Sequence, residues 1–442
     1  MSDRPPSKFA SYFGGIGHAL SVRDYRVYWI GQMISVQGIW IWRVSSGVLI
    51  YQLTQSPAWL GTLSLAFFGP LMVVGPVAGA IADSMGHRRT AIASLWVTIL
   101  ITATMAVLTA SHLMTPLLLA VLTGILGVGS AFDFPARQVL VQYLVGRERM
   151  SAAIALNSTT FNVGVFTGPA IGAALLAWSK PWAGDAAPAV GFAVYSTTSI
   201  CFMLSLVLIR ARDAARKPMS LARVATDVRD GMLYIAQHRT IRLVMGGWLL
   251  ISFLMRSYVD LLPGFAADVF HRGSEGLGFL LSSGGVGSLV FAIAMAVRGK
   301  SRGMPRLYAV SATIGALAIL TFSLTPSFTV ASGCMAVAGA FIITASICAQ
   351  TIVQATVDLN YRGRVLAVYL SIVPSAQSVG SFAIGWGAEY VGLPHAMATA
   401  ICLALLMIAL TAPQIWRRAA SIEHEMLNNV SHLQPAAPGA RK

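Results

Sequence analysis

Residues 59–110 read WLGTLSLAFFGPLMVVGPVAGAIADSMGHRRTAIASLWVTILITATMAVLTA. Two apolar stretches, 59–82 and 90–110, flank a short polar turn that ends on Arg88 and Arg89. A bilayer needs about 20 apolar residues per helical crossing, and each stretch reaches that length. Backbone surrounded by lipid has to satisfy its own N–H and C=O groups, so both stretches are read as helices. A membrane β-barrel would show short alternating segments instead of unbroken runs.

The pattern recurs along the chain. Runs near 27–52, 59–82, 90–110, 115–136, 152–178 and 189–209 precede a polar interval. After it come 241–269, 275–297, 305–325, 328–354, 364–389 and 394–416. Composition agrees: 56% of residues are hydrophobic and 11% charged, too little charge to wet the surface of a soluble domain. The expected fold class is therefore an all-α membrane protein with twelve transmembrane helices.

Charge gives the orientation. Of 31 Lys and Arg residues, 27 fall on one set of alternate connections. These are the N-terminus, the 2–3 turn, the 4–5 turn (Arg137, Arg147, Arg149), the interval Arg210 to Arg242, the 8–9 turn, the 10–11 turn and the C-terminus. The other side holds only Lys180 and Arg272, while Arg43 and Arg256 fall inside spans. The positive-inside rule then places both termini in the cytoplasm. The net charge of +15 follows from that rule. Clustered phosphate-binding segments are missing, so nucleic acid is not an expected partner. The polar, basic first 26 residues lack the apolar core of a signal peptide. Cys201, Cys334, Cys348 and Cys402 all lie in spans, without disulfide or metal spacing.

The polar interval divides the spans six and six. The expected organisation is a cytoplasmic tail (1–26), an N-terminal half (27–209), a cytoplasmic linker (210–240), a C-terminal half (241–416) and a disordered cytoplasmic tail (417–442). Within the linker, Leu221 to His238 has Val224, Val228, Met232 and Ile235 on one stripe and reads as an amphipathic surface helix. Arg43 and Arg256 occupy similar depths in spans 1 and 7, and Gly146-Arg147-Glu148-Arg149 echoes Tyr361-Arg362-Gly363-Arg364. Repeated six-helix halves around a midplane site are the usual construction of a secondary transporter.

The turn Gly79-Ala-Ile-Ala-Asp83-Ser-Met-Gly86-His-Arg88-Arg89 resembles the G-x-x-x-D-x-x-G-x-R-R signature of the major facilitator superfamily. YQLTQSP (51–57), FDFPARQVLV (132–141), GRERMSAAIALNS (146–158) and NYRGRVLAVY (360–369) are similar to the enterobactin-exporter and macrolide-efflux branch. The resemblance runs over residues 20–415. It implies two pseudo-symmetric halves in the major facilitator fold, a bacterial cytoplasmic membrane, a monomer and a gradient as the energy source. It also implies that Gly79, Asp83, Gly86, Arg88 and Arg89 form a latch between halves. On physical grounds, Gly75 and Gly79 would admit a close neighbouring helix. Asp83 would meet a helix N-terminus or a cation, and Arg88 and Arg89 would anchor at headgroups. A plain topogenic turn is the alternative.

Span 5 carries Gly164-x-x-x-Gly168-Pro169-x-x-Gly172, which resembles the antiporter signature of drug-exporting facilitators. Pro169 removes a backbone bond and bends the helix. Either the glycines form a kinked contact between halves, or they serve ordinary helix packing.

Charges inside spans are costly and mark function by default. Arg256 and Asp260 share a helical face four residues apart and either neutralise each other or do separate work. In the second reading Asp260 exchanges a proton, while Arg43 or Arg256 holds an anionic group of the substrate. Span 1 reads Val36-Gln37-Gly38-Ile39-Trp40, without the acid many relatives place there, so proton coupling rests on Asp260. Asp133 and Glu389 fall near span ends. Gln37, Trp40, Asn157, Asn162, Gln350, Gln354 and Gln377 are candidates to line a polar cavity.

No cofactor or metal is expected, and the dispersed histidines argue against an enzyme. The expectation is a secondary transporter that exports a small amphipathic molecule (a siderophore, macrolide-like drug or metabolite) by proton antiport. Its partners are the lipid bilayer, that substrate and protons. An importer, or a membrane sensor that transports nothing, remains the alternative.

Overall fold

The computed structural model describes residues 19–146, 149–210, 221–298 and 302–431. The first six long helices are α1 (Arg23–Thr54), α2 (Pro57–Met85), α3 (His87–Ala110), α4 (Pro116–Val145), α5 (Met150–Ala183) and α6 (Pro188–Leu208). A shorter helix, α7 (Leu221–Gln237), precedes α8 (Arg239–Leu254) and α9 (Tyr258–Gly264). A π-helical turn (Phe265–Val269) follows, then α10 (Gly273–Arg298), α11 (Met304–Leu324), α12 (Phe328–Thr356), α13 (Leu359–Val391), α14 (Leu393–Arg417) and α15 (Ala419–Ser431). Among the described residues twelve spans are long and apolar enough to cross a membrane, as the sequence predicts. The seventh, Arg239–Val269, is composite.

Helix ends follow local chemistry. Thr115 accepts the Leu118 N–H at 3.3 Å and caps α4, with Pro116 in the first turn where no N–H is needed. Gly86 breaks α2 from α3 with φ +98°, a conformation that a side chain would strain.

The chain divides into two compact units. The first takes Met1–Gln55, Ala66–Leu221 and His271–Ser282; the second takes Ser56–Leu65, Ala222–Phe270 and Ser283–Lys442. The opening turns of α2 thus belong with the second unit and those of α10 with the first, an interleaving that a simple split at the linker does not give.

In the first unit Tyr25, Tyr28, Leu95, Leu140, Phe202 and Leu206 pack into one buried cluster. Lipid is as apolar as leucine, so helices associate in a membrane through close packing of small residues and through hydrogen bonds. A Cβ at Gly31, Gly38 or Gly191 would collide with the side chain of Ser205, Thr198 or Ser45 respectively, so small polar side chains seat α1 against α6 at these glycines. In the second unit Gly287 and Gly339 bring α10 onto α12 backbone to backbone, at Ala336 and Gly284. Phe265, Phe270, Phe322 and Phe328 form an aromatic cluster beside the π turn.

Three expectations change. Within the tail expected to be disordered, residues 419–431 are helical, and Ala419, Ile422 and Met426 are buried. Glu423 also accepts the Gly303 N–H at 3.0 Å, holding the start of α11. Helix α7 forms, but it docks through more than the apolar stripe, of which Val228 and Ile235 are half-buried. Met232 is exposed, whereas Asp227 and Asp230 pair with Arg364 at 2.7 and 3.3 Å. Tyr234 stacks on Tyr361 with ring centres 4.6 Å apart and donates to Asp358 at 3.1 Å; the Val224 side chain lies outside the described set. Third, α4 runs on to Val145, so Asp133 is well inside a helix rather than at its end.

Candidate functional site

The seventh span breaks where its charges sit. After Leu254 the backbone passes through a turn at Met255–Ser257 before α9 resumes. The N–H groups of Tyr258, Val259 and Asp260 reach back only three residues, at 3.3–3.4 Å. Ser257 supplies the cause. Its hydroxyl donates to the Phe253 carbonyl at 2.6 Å and contacts the Gln377 carbonyl at 3.1 Å, taking over acceptors that helix and water would use. Gly380 makes this approach feasible, because any Cβ there would run into the Phe253 carbonyl and the Ser257 hydroxyl. Discontinuous helices of this kind form the ion and substrate sites of secondary transporters.

Asp260, just past the break, accepts three hydrogen bonds at one oxygen. Ser64 of α2 and Ser381 of α13 each donate to Oδ2 at 2.8 Å, and the Gln377 amide donates at 3.2 Å. Gln377 in turn accepts from Arg256 Nε at 3.2 Å. The amide therefore joins the two charges that the sequence placed on one helical face, passing polarisation from guanidinium to carboxylate. Gly61 sets α2 against the Ser381 carbonyl, which brings Ser64 within reach. At the end of α13, Glu389 accepts from the Ser56 hydroxyl and, at 3.2 Å, from the Ala58 N–H, closing the first turn of α2.

A hydroxyl both donates and accepts. Ser381 has other acceptors in the Gln377 carbonyl at 3.0 Å and the Ser257 carbonyl at 3.4 Å. Rotation of that hydroxyl lets it turn away from Asp260 without losing a partner.

In the first unit, Gln37, Trp40 and Arg43 share α1. Arg43 lies 5.0 Å from the ring centre of Trp40 and 5.3 Å from that of Phe68, a cation between two π faces. Gln37 accepts from Thr167 at 3.0 Å. The Trp40 indole N–H is buried without a hydrogen-bond partner among the described residues. Asn157 stands apart from this group, accepting from the Tyr25 hydroxyl at 3.4 Å. The Asn162 side chain lies outside the described residues. Gln350 and Gln354 are half-buried one turn apart on α12 of the second unit.

Gly164, Gly168 and Gly172 meet Val36, Trp40 and Val44, all on α1. Gly278, in the part of α10 that belongs to the same unit, is seated against Ala173 and 3.9 Å from the Pro169 carbonyl. The stripe therefore packs helices within the first unit. In the 2–3 turn, Asp83 pairs with His87 at 3.3 Å, and the His87 ring stacks on Tyr143. Arg88 donates to the Leu206 and Val207 carbonyls, both at 2.8 Å, and so caps the end of α6. Arg89 is exposed. A Cβ at Gly79 would meet nothing within 4 Å, so the close helix approach expected there is not made.

The serines escape a reading of the sequence because a serine in an apolar run carries no distinguishing pattern. Ser64 and Ser381 become recognisable only when their helices are placed around Asp260.

A family model described as transmembrane secretion effector matches residues 18–436. The chain is 26% identical over 387 residues to the enterobactin exporter EntS of Shigella flexneri, covering 87% of this chain and 89% of that one. It is 25% identical over 284 residues to the staphyloferrin A transporter of Staphylococcus aureus, covering 64% and 69%. In fold it is similar to a mutant form of the nucleoside transporter NupG, with a TM-score of 0.68 at 14% identity, covering 89% and 98%.

Proposed function

Because the chain belongs to the transmembrane secretion effector family of the major facilitator superfamily, and is a membrane transporter and not an enzyme, we propose that it exports a small amphipathic molecule from a bacterial cell in exchange for protons. The termini face the cytoplasm in this reading, as the loop charges require. The exported class is that of siderophores, macrolide-like drugs or related metabolites; the siderophore transporters among its relatives favour the first.

The observation that carries the proposal is the hydrogen-bond shell of Asp260. A carboxylate beside a helix break, held by two hydroxyls and an amide tied to Arg256, has partners for both its charged and its neutral form. Proton release and uptake there alternate with substrate binding, and the halves rock between two open states. Trp40, Arg43 and Phe68 supply a flat, cationic surface for an aromatic or anionic group of the substrate. Asp83 and His87 act in the latch of the 2–3 turn.

The test is accumulation of a panel of siderophores, macrolides and cationic dyes in an efflux-deficient host. Wild type is expected to lower accumulation of at least one compound, and both a protonophore and Asp260→Asn are expected to restore it. Export that persists in the Asp260→Asn variant would remove Asp260 from coupling. Accumulation raised by the wild type would reverse the direction.

A further inference from the structure

The first unit contains a second buried charge pair that the proposed cycle leaves unused. Asp133 and Arg137 lie one turn apart on α4, 2.5 Å from oxygen to nitrogen, with side chains only 18% and 17% exposed. The ion pair itself stays within α4, and only the Arg137 guanidinium reaches another helix, at the Phe202 ring of α6. An ion pair that staples elements together crosses between them, whereas this one stays within a single helix and still bears the desolvation cost of two charges. Replacing such a pair by apolar residues of similar volume is often neutral or stabilising, so packing alone is a weak reason for it.

Its surroundings are unsaturated in a particular way. Asp133 Oδ2 faces Arg137, but Oδ1 is buried with no hydrogen-bond partner among the described residues. The same holds for Arg137 Nε and for the Tyr28 hydroxyl of α1. The guanidinium also lies 4.2 Å from the ring centre of Phe202 on α6. The titratable neighbours are tyrosines: Tyr28 and, beyond it, Tyr25 from α1, and Tyr195 from α6. Helix α3, packed along α4, buries Ser94 and Leu95 and keeps its charged residues, His87, Arg88 and Arg89, in its first turn.

We propose that Asp133 is a second proton-binding site of this transporter, with Arg137 held at once by the carboxylate and the face of Phe202. A proton from a hydronium ion, which is left as water, bonds to Oδ1, forming an O–H there without displacing a donor. The pair then carries a net single positive charge, which the Phe202 ring continues to hold. Loss of the proton restores the ion pair. Each unit thereby owns one exchangeable carboxylate, Asp260 in the second and Asp133 in the first. The role in transport rests on the proton-coupled reading above; the binding event itself does not.

Infrared difference spectroscopy of the full-length protein in lipid vesicles, titrated from mildly acidic to mildly alkaline pH, reads protonated carboxyl groups directly. Wild type is expected to show a buried carboxylic-acid band at acidic pH, part of which is lost in Asp133→Asn. Arg137→Gln should retain that component to more alkaline pH, because the cation opposing protonation is gone. Tyr28→Phe, which keeps the ring and its packing, should shift the frequency of the same component. Spectra of Asp133→Asn and Tyr28→Phe that superimpose on wild type throughout would overturn the proposal. Asp260→Asn keeps the reading of Asp260 separate: it should remove a different component, and leaving the spectrum unchanged would count against Asp260 alone.

Discussion

The hydroxyl of Ser64 donates to Asp260 Oδ2 across 2.8 Å, from a helix 196 positions earlier in the chain. Hydrogen bonds to a charged acceptor contribute about 1.5–3 kcal/mol, so one serine sets a sizeable share of the carboxylate's environment. Ser64→Ala is expected to slow gradient-driven transport about tenfold, the factor that 1.4 kcal/mol corresponds to, while Ser64→Thr retains most of it. Transport assayed at matched membrane levels checks this. Equal rates for the alanine and wild-type proteins would take the hydroxyl out of the coupling site.

Two glycines from two motifs should behave oppositely. Gly168 faces Trp40 so closely that a Cβ would collide with it, whereas a Cβ at Gly79 meets nothing within 4 Å. Overpacking of a tight contact costs about 1–3 kcal/mol, and a leucine exceeds a single methyl considerably. Gly168→Leu is therefore expected to lower the unfolding midpoint in detergent by several degrees or to prevent folding. Gly79→Ala should leave the midpoint unchanged or slightly raised. An unaffected Gly168→Leu protein would show that α1 and α5 can separate at no cost.

Arg88 and its neighbour Arg89 should separate in the same assay. Arg88 closes two carbonyls at the end of α6, and the loss of such bonds costs about 1–3 kcal/mol when the acceptors stay dry. Arg88→Ala is expected to destabilise the protein measurably. Arg88→Lys should recover only part of the loss, since an ammonium lacks the planar fork. Arg89→Ala should have no effect on stability. Equal effects at both positions would return the turn to a purely topogenic role.

The polar docking of α7 should respond to both mutation and pH. Each of the half-exposed pairs between Arg364 and Asp227 or Asp230 is worth about 0.2–1 kcal/mol. Arg364→Ala removes both together and should raise amide hydrogen exchange along α7 without disturbing α8. Burial, more than the nearby Asp358 carboxylate, pushes the Tyr234 phenol above its ordinary range. A group raised in the folded state contributes its stability below its unfolded value, about 10 for tyrosine, and loses it as pH climbs through the folded one. Docking of α7 is thus expected to hold through neutrality and to loosen only in strongly alkaline solution. Tyrosinate absorbance followed alongside exchange would reveal this, and Tyr234→Phe should abolish that pH dependence.

The spans are legible in the sequence because lipid imposes a length and a polarity that few other environments require. Arg43, Arg256 and Asp260 are legible for the same reason: a charge in an apolar run stands out. What the sequence hides is arrangement. The break at Met255–Ser257 contains neither proline nor glycine and comes from a serine bonding its own backbone, a choice that depends on the facing Gln377 and Gly380. Asp133 reads as a span-end residue because Arg137 and Gln138 make the run beyond it look like loop, although α4 continues to Val145. The amphipathic pattern of α7 does announce a helix but not the polar contacts that dock it, because Arg364 lies far away in the sequence.

Helix α15 bears on how this protein should be handled. Ile422 and Met426 are covered by the fold, and Glu423 secures the start of α11. A gene shortened after Arg417 would therefore leave a greasy scar on α11 and α12 and invite aggregation, with no change to any residue of the transport path. A fluorescent or enzymatic reporter belongs after Lys442, where it leaves that cover in place. The same fusion reports which side of the membrane the C-terminus occupies.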